Sequence, residues 1–284
     1  MGKRSFLKNY TIMLNDLLTN KKYKSKMWTF EYPHYFQYLT KEEWIVKVFL
    51  PELVRQNGAL DLGSLPSGLN TKFICISGQD GSGKTNLRDG IADYLSQKGK
   101  SVITAKSPCD KYLVYLLNNA ISQDGYEDWY TEQMLFSFAD GLLSNYMIQL
   151  NGHCDYFICQ RGPVDQYAHG ITRSGKTYSE IYNIQRPDRL AKFDMIVHLN
   201  CDASVAWKRI CDDEGKDRYE YPEYFERQVK NTKRLYEDIM NGFQPELEFL
   251  RDSENIYIDT TNMTIQDVLK KTITQLKIYA LIDG

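Results

Sequence analysis

Eight consecutive residues, Gly78-Gln79-Asp80-Gly81-Ser82-Gly83-Lys84-Thr85, match the pattern GxxxxGK followed by Ser or Thr. They directly follow the apolar run Phe73–Ser77 and open a stretch with helical spacing. Glycines let the backbone curl so that its N–H groups converge on a phosphate, and the following helix adds its positive end. In such a loop Lys84 reaches the β- and γ-phosphates as a point charge, and the Thr85 hydroxyl holds Mg²⁺. The expected ATP-binding residues are therefore Gly78, Asp80, Gly81, Ser82, Gly83, Lys84 and Thr85, with Mg²⁺ as cofactor and ATP as phosphoryl donor. The competing reading, a chance glycine-rich turn, is weakened by the strand before the motif and the helix after it.

A phosphate loop serves kinases, GTPases and motor ATPases alike. A GTPase needs a guanine-reading NKxD, which the chain lacks. An ATPase machine usually has an apolar strand ending in Asp or Glu, whereas Tyr156-Phe157-Ile158-Cys159 runs into Gln160. Basic residues further along the chain, Arg161, Arg209 and Arg218 among them, favour a small-molecule kinase. Two of these carry open alternatives. Arg209 could equally pair with Asp212 or Asp213 on a helix surface, and Arg218 lies in a charged stretch, Asp212 to Glu220, that could be a solvated loop.

The elements that must position these groups are legible as apolar runs. Phe73–Ser77, Ser101–Ala105, Tyr156–Cys159, Met195–Leu199 and Ile256–Ile258 read as strands. Helical patterns cover Lys84–Gln97, roughly Asp110–Ser122 and Asp128–Leu150, and stretches near Asp202–Cys211, Tyr221–Met240 and Thr264–Tyr279. Short, continuously apolar strands between helices predict a parallel sheet of about five strands covered on both faces, a three-layer α/β fold of the P-loop NTPase kind. Ligands are then expected at the carboxyl ends of the strands.

Residues 1–70 differ from the rest. Leu7, Tyr10, Leu14, Leu17 and Leu18 are close to helical spacing, and a second helical pattern runs through Trp44, Val48 and Leu53. Gly58–Asn70, with three glycines and Pro66, reads as a linker. The expected division is an N-terminal helical extension, 1–70, and a kinase domain, 71–284. Thirty-five basic residues against 37 acidic ones give no global pull toward nucleic acid or an anionic membrane, which weighs against a DNA substrate without excluding it. None of the six cysteines forms a CxxC pair, so reduced, packed thiols are expected. With no secretory signal and no run long enough to span a bilayer, the expected location is the cytoplasm.

From about Lys72 to the C-terminus the chain resembles the thymidylate kinase family of nucleoside monophosphate kinases. The resemblance rests on the strand and loop Phe73 to Thr85, on Phe193-Asp-Met-Ile-Val-His-Leu-Asn-Cys-Asp-Ala-Ser-Val-Ala-Trp-Lys-Arg-Ile210, on Asp217-Arg218-Tyr219-Glu220, which is similar to the DRFE lid segment, and on Ile258-Asp259-Thr260. It implies phosphoryl transfer to a nucleotide, with a homodimer as the expected assembly. Arg161 stands in the family's DR pair and would contact phosphates between donor and acceptor. Lys106 stands where the family has an arginine holding the acceptor phosphate. Arg218, and after it Arg209, would close over the ATP phosphates as transition-state cations, so Lys84, Arg161, Arg218 and Arg209 are the implied catalytic set.

Departures cluster on the acceptor side. Gln160 replaces the acid before Arg161, with Asp110 or Asp165 as possible substitutes for it. Lys106-Ser107-Pro108 replaces a REP triplet, and Asp140-Gly141 replaces the Asp-Arg pair that reads the thymine base. Beyond Arg161, Gly162-Pro163-Val164-Asp165-Gln166-Tyr167 stands in for a Ser/Thr-rich stretch, with Tyr167 expected at the acceptor alongside Lys106 and Arg161. His169, near a family glutamine, is more readily structural than catalytic. The expected activity is a (deoxy)nucleoside monophosphate kinase with altered acceptor specificity. The alternatives are a kinase of a modified nucleoside or hydroxylated base in DNA, and a nucleotide-binding regulatory protein without turnover.

Overall fold

A computed structural model of the chain describes residues 71–109, 113–114, 116–117, 129–210 and 221–282. The extension 1–70, most of the helix expected from Asp110 to Ser122, and the segment carrying Arg218 lie outside the described residues.

Alternate residues of the first strand serve different layers. Phe73 and Cys75 pack on one face, Ile74 and Ile76 on the other, and all four are fully buried. This two-sided burial is what makes such strands continuously apolar. Strand β1 (Lys72–Gly78) lies at the centre, flanked in the order β2-β3-β1-β4-β5 by β2 (Val102–Lys106), β3 (Tyr156–Gln160), β4 (Met195–Asn200) and β5 (Glu254–Asp259). Every neighbouring pair is parallel, with Cys75 opposite both Cys159 and Ile196. All five strands fall within two residues of the expected bounds. Because the chain moves outward from β1 to β2 and later crosses to β4 on the other side, a crevice opens above the carboxyl end of β1, the usual ligand position in such sheets.

Helices α1 (Lys84–Gln97) and α8 (Ile265–Ile278) cover the Ile74 face, through Leu87, Ile91 and Leu95 and through Val268, Ile273 and Leu276. The Cys75 face is covered by α2 (Trp129–Leu150), α3 (Pro163–Ser174), α4 (Tyr178–Gln185) and α6 (Pro222–Asn241), which contribute Leu143, Val164, Ile181 and Leu235. The short helices α5 (Ala203–Ile210) and α7 (Glu248–Arg251) complete the described set. Helix α2 is buried at every position from Thr131 to Ser144, so it runs through the interior over that length.

Helices α3 and α4 are additions to the sequence reading, which placed no helix between β3 and β4. Both have recognisable starts. Pro163 occupies the first turn of α3, and Thr177 caps α4, its Oγ1 accepting from the Glu180 amide at 3.3 Å. The described cysteines, Cys75, Cys109, Cys154, Cys159 and Cys201, are buried, and none of them is in a disulfide among the described residues. Among the described residues no helix is long and apolar enough to cross a membrane.

Candidate active site

The phosphate loop is fixed by groups that converge on it from four sides. Gly78 ends β1 at φ 144°, where a Cβ would lie 2.1 Å from the Leu199 carbonyl oxygen, so only glycine allows β4 to approach this closely. Gln79 Nε2 donates to the Cys201 carbonyl at 2.6 Å, and Thr260 Oγ1 donates to the Ser82 carbonyl at 3.2 Å. Arg209 Nη1 donates to the Gly81 carbonyl at 3.0 Å and Nη2 to that of Thr260 at 3.3 Å. Helix α1 then begins after Gly83 with no side-chain cap on its first amides. Uncapped amides at a helix start are the groups that bind an anion.

Lys84 is buried, and its Nζ donates to the carbonyls of Gly78 at 2.7 Å and Gln79 at 2.8 Å, 3.3 Å from Asp80 Oδ1. Burial lowers its pKa, while Asp80 pulls in the opposite direction. Asp80 also accepts from Arg161 Nη2. Desolvation works to raise the Asp80 carboxyl, but Arg161 and Lys84 override it and hold the group well below the usual carboxylate range. Asp80 thus stays ionised and joins the two cations that face the loop.

Arg161 leaves β3 in the left-handed region at φ 68°, its amide donating to the Ile76 carbonyl at 2.9 Å. Such backbone in a non-glycine residue costs free energy, and it persists here because the residue is bonded at both ends. One residue earlier, Gln160 Oε1 accepts from Thr85 Oγ1 at 3.0 Å. Thr85 and Gln160 therefore offer two neutral oxygens beside the loop. These fit Mg²⁺ delivered on a nucleotide, since that ion keeps waters and phosphate oxygens in its shell. They do not make a resident metal cage, and among the described residues no group of three acidic, His or Cys side chains does either. Asp165, considered above as a substitute acid, is committed elsewhere. Its Oδ1 accepts from the Gly78 amide at 2.9 Å and its Oδ2 from the Gly162 amide at 3.1 Å, tying β1 to the start of α3.

Lys106 ends β2, half-buried, and lies within electrostatic reach of Arg161, Asp80 and Lys84. Burial first, and the neighbouring Arg161 second, push its ammonium down to about 6. The described site therefore gathers Lys84, Thr85, Asp80, Arg161, Lys106 and Arg209 around one loop, while Arg218 lies outside the described residues. Tyr167 needs a correction. It is fully buried against Phe249, ring centroids 5.7 Å apart, and belongs to the core beside Val164 and Ile181 rather than to a surface a substrate can touch.

The residues that sequence reasoning undervalued form a stripe on α3. Asp165, His169 and Arg173 recur at four-residue spacing and so share one face. Asp165 bonds the phosphate loop. His169 Nδ1 lies 3.0 Å from Tyr224 Oη and 3.3 Å from Gln228 Nε2, both on α6. Arg173 Nη1 donates to Glu132 Oε1 on α2 at 2.6 Å, its Nε to Tyr224 Oη at 3.3 Å, and its guanidinium sits 5.5 Å from the Phe136 ring centroid. Burial, with Arg173 adding to it, drives the His169 imidazole well below its usual pKa, so the ring is neutral.

The thymidylate kinase family profile matches residues 76–262. The chain is 24% identical over 210 residues to the thymidylate kinase of Finegoldia magna, covering 72% of this chain and 97% of that one. It is 26% identical over 214 residues to the probable thymidylate kinase of Methanococcus aeolicus, covering 72% and 95%. In three dimensions it resembles Candida albicans thymidylate kinase, whose structure was described as revealing an origin of broad substrate specificity, at a TM-score of 0.61 and 19% identity over 77% of this chain and 97% of that one. A phosphate loop on a five-stranded parallel sheet, an arginine pairing with that loop from the end of β3, and a family match across the whole catalytic span lead to one assignment: this chain belongs to the thymidylate kinase family and is a nucleotide kinase.

Proposed function

We propose that the chain transfers the γ-phosphoryl group of ATP, bound with Mg²⁺, to a (deoxy)nucleoside monophosphate, and that its acceptor range differs from strict dTMP. The observation that carries this reading is a contrast along the site. On the donor side Lys84, Asp80 and Arg161 are gathered at hydrogen-bonding distance. On the acceptor side Gly141 in α2 supplies no side chain where the family places its base-reading arginine. A site that hydrogen-bonds a base rejects the wrong base strongly, so losing that guanidinium changes selectivity.

Phosphoryl transfer asks chiefly for positioning and charge neutralisation. The uncapped amides of α1 and Lys84 hold the β- and γ-phosphates, and Thr85 with Gln160 would face the metal that arrives with them. Mg²⁺ would neutralise charge on the phosphate oxygens. Arg161, swung from Asp80 onto the transferred group, and Lys106, on the acceptor phosphate, supply the remaining positive charge. Arg209, anchored on the loop carbonyl of Gly81, is placed to close over the donor. Residues 71–284 constitute the kinase domain in this reading, with 1–70 appended to it.

The test is ADP release from MgATP against a panel of deoxy- and ribonucleoside monophosphates. Acceptor-dependent release with monophosphates beyond dTMP supports the reading. Release with dTMP alone removes the altered specificity, and ATP binding without release for any acceptor removes the kinase assignment in favour of a nucleotide-binding regulator.

A further inference from the structure

Asp165 stands where the hydrogen-bond ladder between β1 and β3 stops. The last bond of that ladder runs from the Arg161 amide to the Ile76 carbonyl at 2.9 Å. Alternate residues of a strand bond to the same neighbour, so the Gly78 amide points toward β3 as the Ile76 carbonyl does. In a continuing parallel ladder it would donate to the Arg161 carbonyl. The left-handed backbone of Arg161 turns that carbonyl aside, and it lies 3.1 Å from Cys159 Sγ. The Gly78 amide donates to Asp165 Oδ1 at 2.9 Å, so a side-chain carboxyl takes the place of the missing strand carbonyl.

The other oxygen, Oδ2, accepts from the Gly162 amide at 3.1 Å, and that amide belongs to the peptide that leaves Arg161. Gly78, for its part, is the residue whose carbonyl receives Lys84 Nζ at 2.7 Å. One buried carboxyl thereby holds the backbone beside each of the two cations that handle phosphate. Its charge reaches both as well. Burial drives the Asp165 carboxyl up, and Lys84, the Gly78 amide, Arg161 and the Ser77 hydroxyl act against that shift. On the open side of the loop Lys84 and Arg161 share Asp80. That bridge opens when phosphates arrive and Arg161 leaves Asp80 for the transferred group. The tie through Asp165 runs through backbone and is free to stay closed.

We propose that Asp165 is a positioning residue for phosphoryl transfer: its two oxygens, one on Gly78 and one on Gly162, set the spacing of Lys84 and Arg161 once the nucleotide has drawn them from Asp80. This role deepens the nucleotide-kinase reading above and rests on it. ATP is held by a loop that keeps its other bonds, from Gln79 to Cys201, from Thr260 to Ser82 and from Arg209 to Gly81. Loss of Asp165 should therefore appear in the transfer step and not in ATP binding.

The test is the single-turnover rate and the ATP affinity of wild type, Asp165→Asn, Asp165→Ala and Ile239→Ala, with the monophosphate that gives the fastest ADP release. Ile239 is buried in the core under α6 and controls for lost stability alone. Expected is a rate about a hundredfold lower in Asp165→Ala, and about tenfold lower in Asp165→Asn, which keeps one carbonyl oxygen for two amides. ATP affinity should stay within about threefold throughout, and the rate of Ile239→Ala should stay near wild type. Added to Arg161→Met, Asp165→Ala should lower the rate by no more than about tenfold further, because part of its effect passes through Arg161. Full multiplication of the two losses overturns the proposal, as does an unchanged rate in Asp165→Ala, an equal loss in Ile239→Ala, or a loss that only follows ATP affinity. If Asp165→Ala does not fold, Asp165→Asn, of equal size, carries the comparison. A wild type that releases no ADP with any monophosphate removes the acceptor reading and this role with it. A wild type that turns over while the Asp165 variants keep pace removes this role alone.

Discussion

Thr85 and Gln160 meet side chain to side chain, the hydroxyl of the first turn of α1 donating to the amide oxygen that ends β3 at 3.0 Å. The pair stands where a cation carried by ATP would approach the protein, yet neither oxygen is charged. Replacing Gln160 by Glu keeps the length and adds a negative charge. We expect the Mg²⁺ concentration for half-maximal activity to fall about tenfold, equivalent to ~1.4 kcal/mol. The same substitution buries a carboxyl at a position 4% exposed, so the metal-free protein should melt lower and recover with MgATP. An unchanged Mg²⁺ titration would show that another group already neutralises the metal.

Lys84 spends the ligand-free state on the carbonyls of Gly78 and Gln79, 2.7 and 2.8 Å away. Its burial penalises the ammonium, so its charge contributes little net stability; its work is at the phosphates. Lys84→Met should lower kcat by at least about a hundredfold, the scale for one preorganised charge-stabilising donor, while shifting the melting temperature by only a few degrees. Normal turnover in this variant would mean that the loop does not bind the transferred phosphates.

How far the sequence revealed this site follows from burial. The strands were legible because both faces are covered, which leaves uninterrupted apolar runs such as Phe73 to Ile76. The phosphate loop was legible because its chemistry is local. Helix α3 was legible in principle, since Val164, Tyr167, Ala168 and Ile171 recur at helical spacing, but its buried polar residues Asp165, Gln166 and His169 interrupt the apolar run and the period went unread. With the helix unseen, Tyr167 was expected at the acceptor because it lies in the stretch that stands in for the family's Ser/Thr-rich segment beyond Arg161. Two residues on a helix are about 200° apart, so Tyr167 turns into the core while Asp165 reaches the loop at the Gly78 amide. The Arg173–Glu132 pair spans 41 residues between two helices, a separation no spacing rule reaches.

That pair gives a stability prediction. Both side chains are buried, Arg173 at 7% exposure and Glu132 at 1%. Removing one partner of a buried ion pair leaves an uncompensated charge and costs about 3–5 kcal/mol. Arg173→Met should therefore lower the melting temperature by about 6–20 °C, at roughly 2–4 °C per kcal/mol for a domain of this size. The double variant Arg173→Met/Glu132→Gln should recover a large part of that loss in a thermal melt. Additive losses would mean that the two residues act independently.

Lys106 ties acceptor binding to pH. Its ammonium, pushed down to about 6, is largely neutral in the free protein at pH 7 to 8, although an unburied lysine would be fully charged. A bound phosphate dianion favours the charged form and raises that pKa, so binding near pH 8 draws a proton from solvent. The sign follows from this uptake. Each step up in pH above 6 makes the proton scarcer, and acceptor affinity should weaken with rising pH, by at most tenfold per unit, until the pKa of the bound state is reached. Below about 6 the phosphate itself takes up its second proton and the trend reverses. Calorimetry of acceptor binding in buffers of different ionisation enthalpy should register up to one proton taken up at pH 8. Lys106→Arg, permanently charged, should abolish both the uptake and the slope while retaining binding. A wild-type protein that binds its acceptor at pH 8 with no proton uptake would place Lys106 away from the acceptor phosphate.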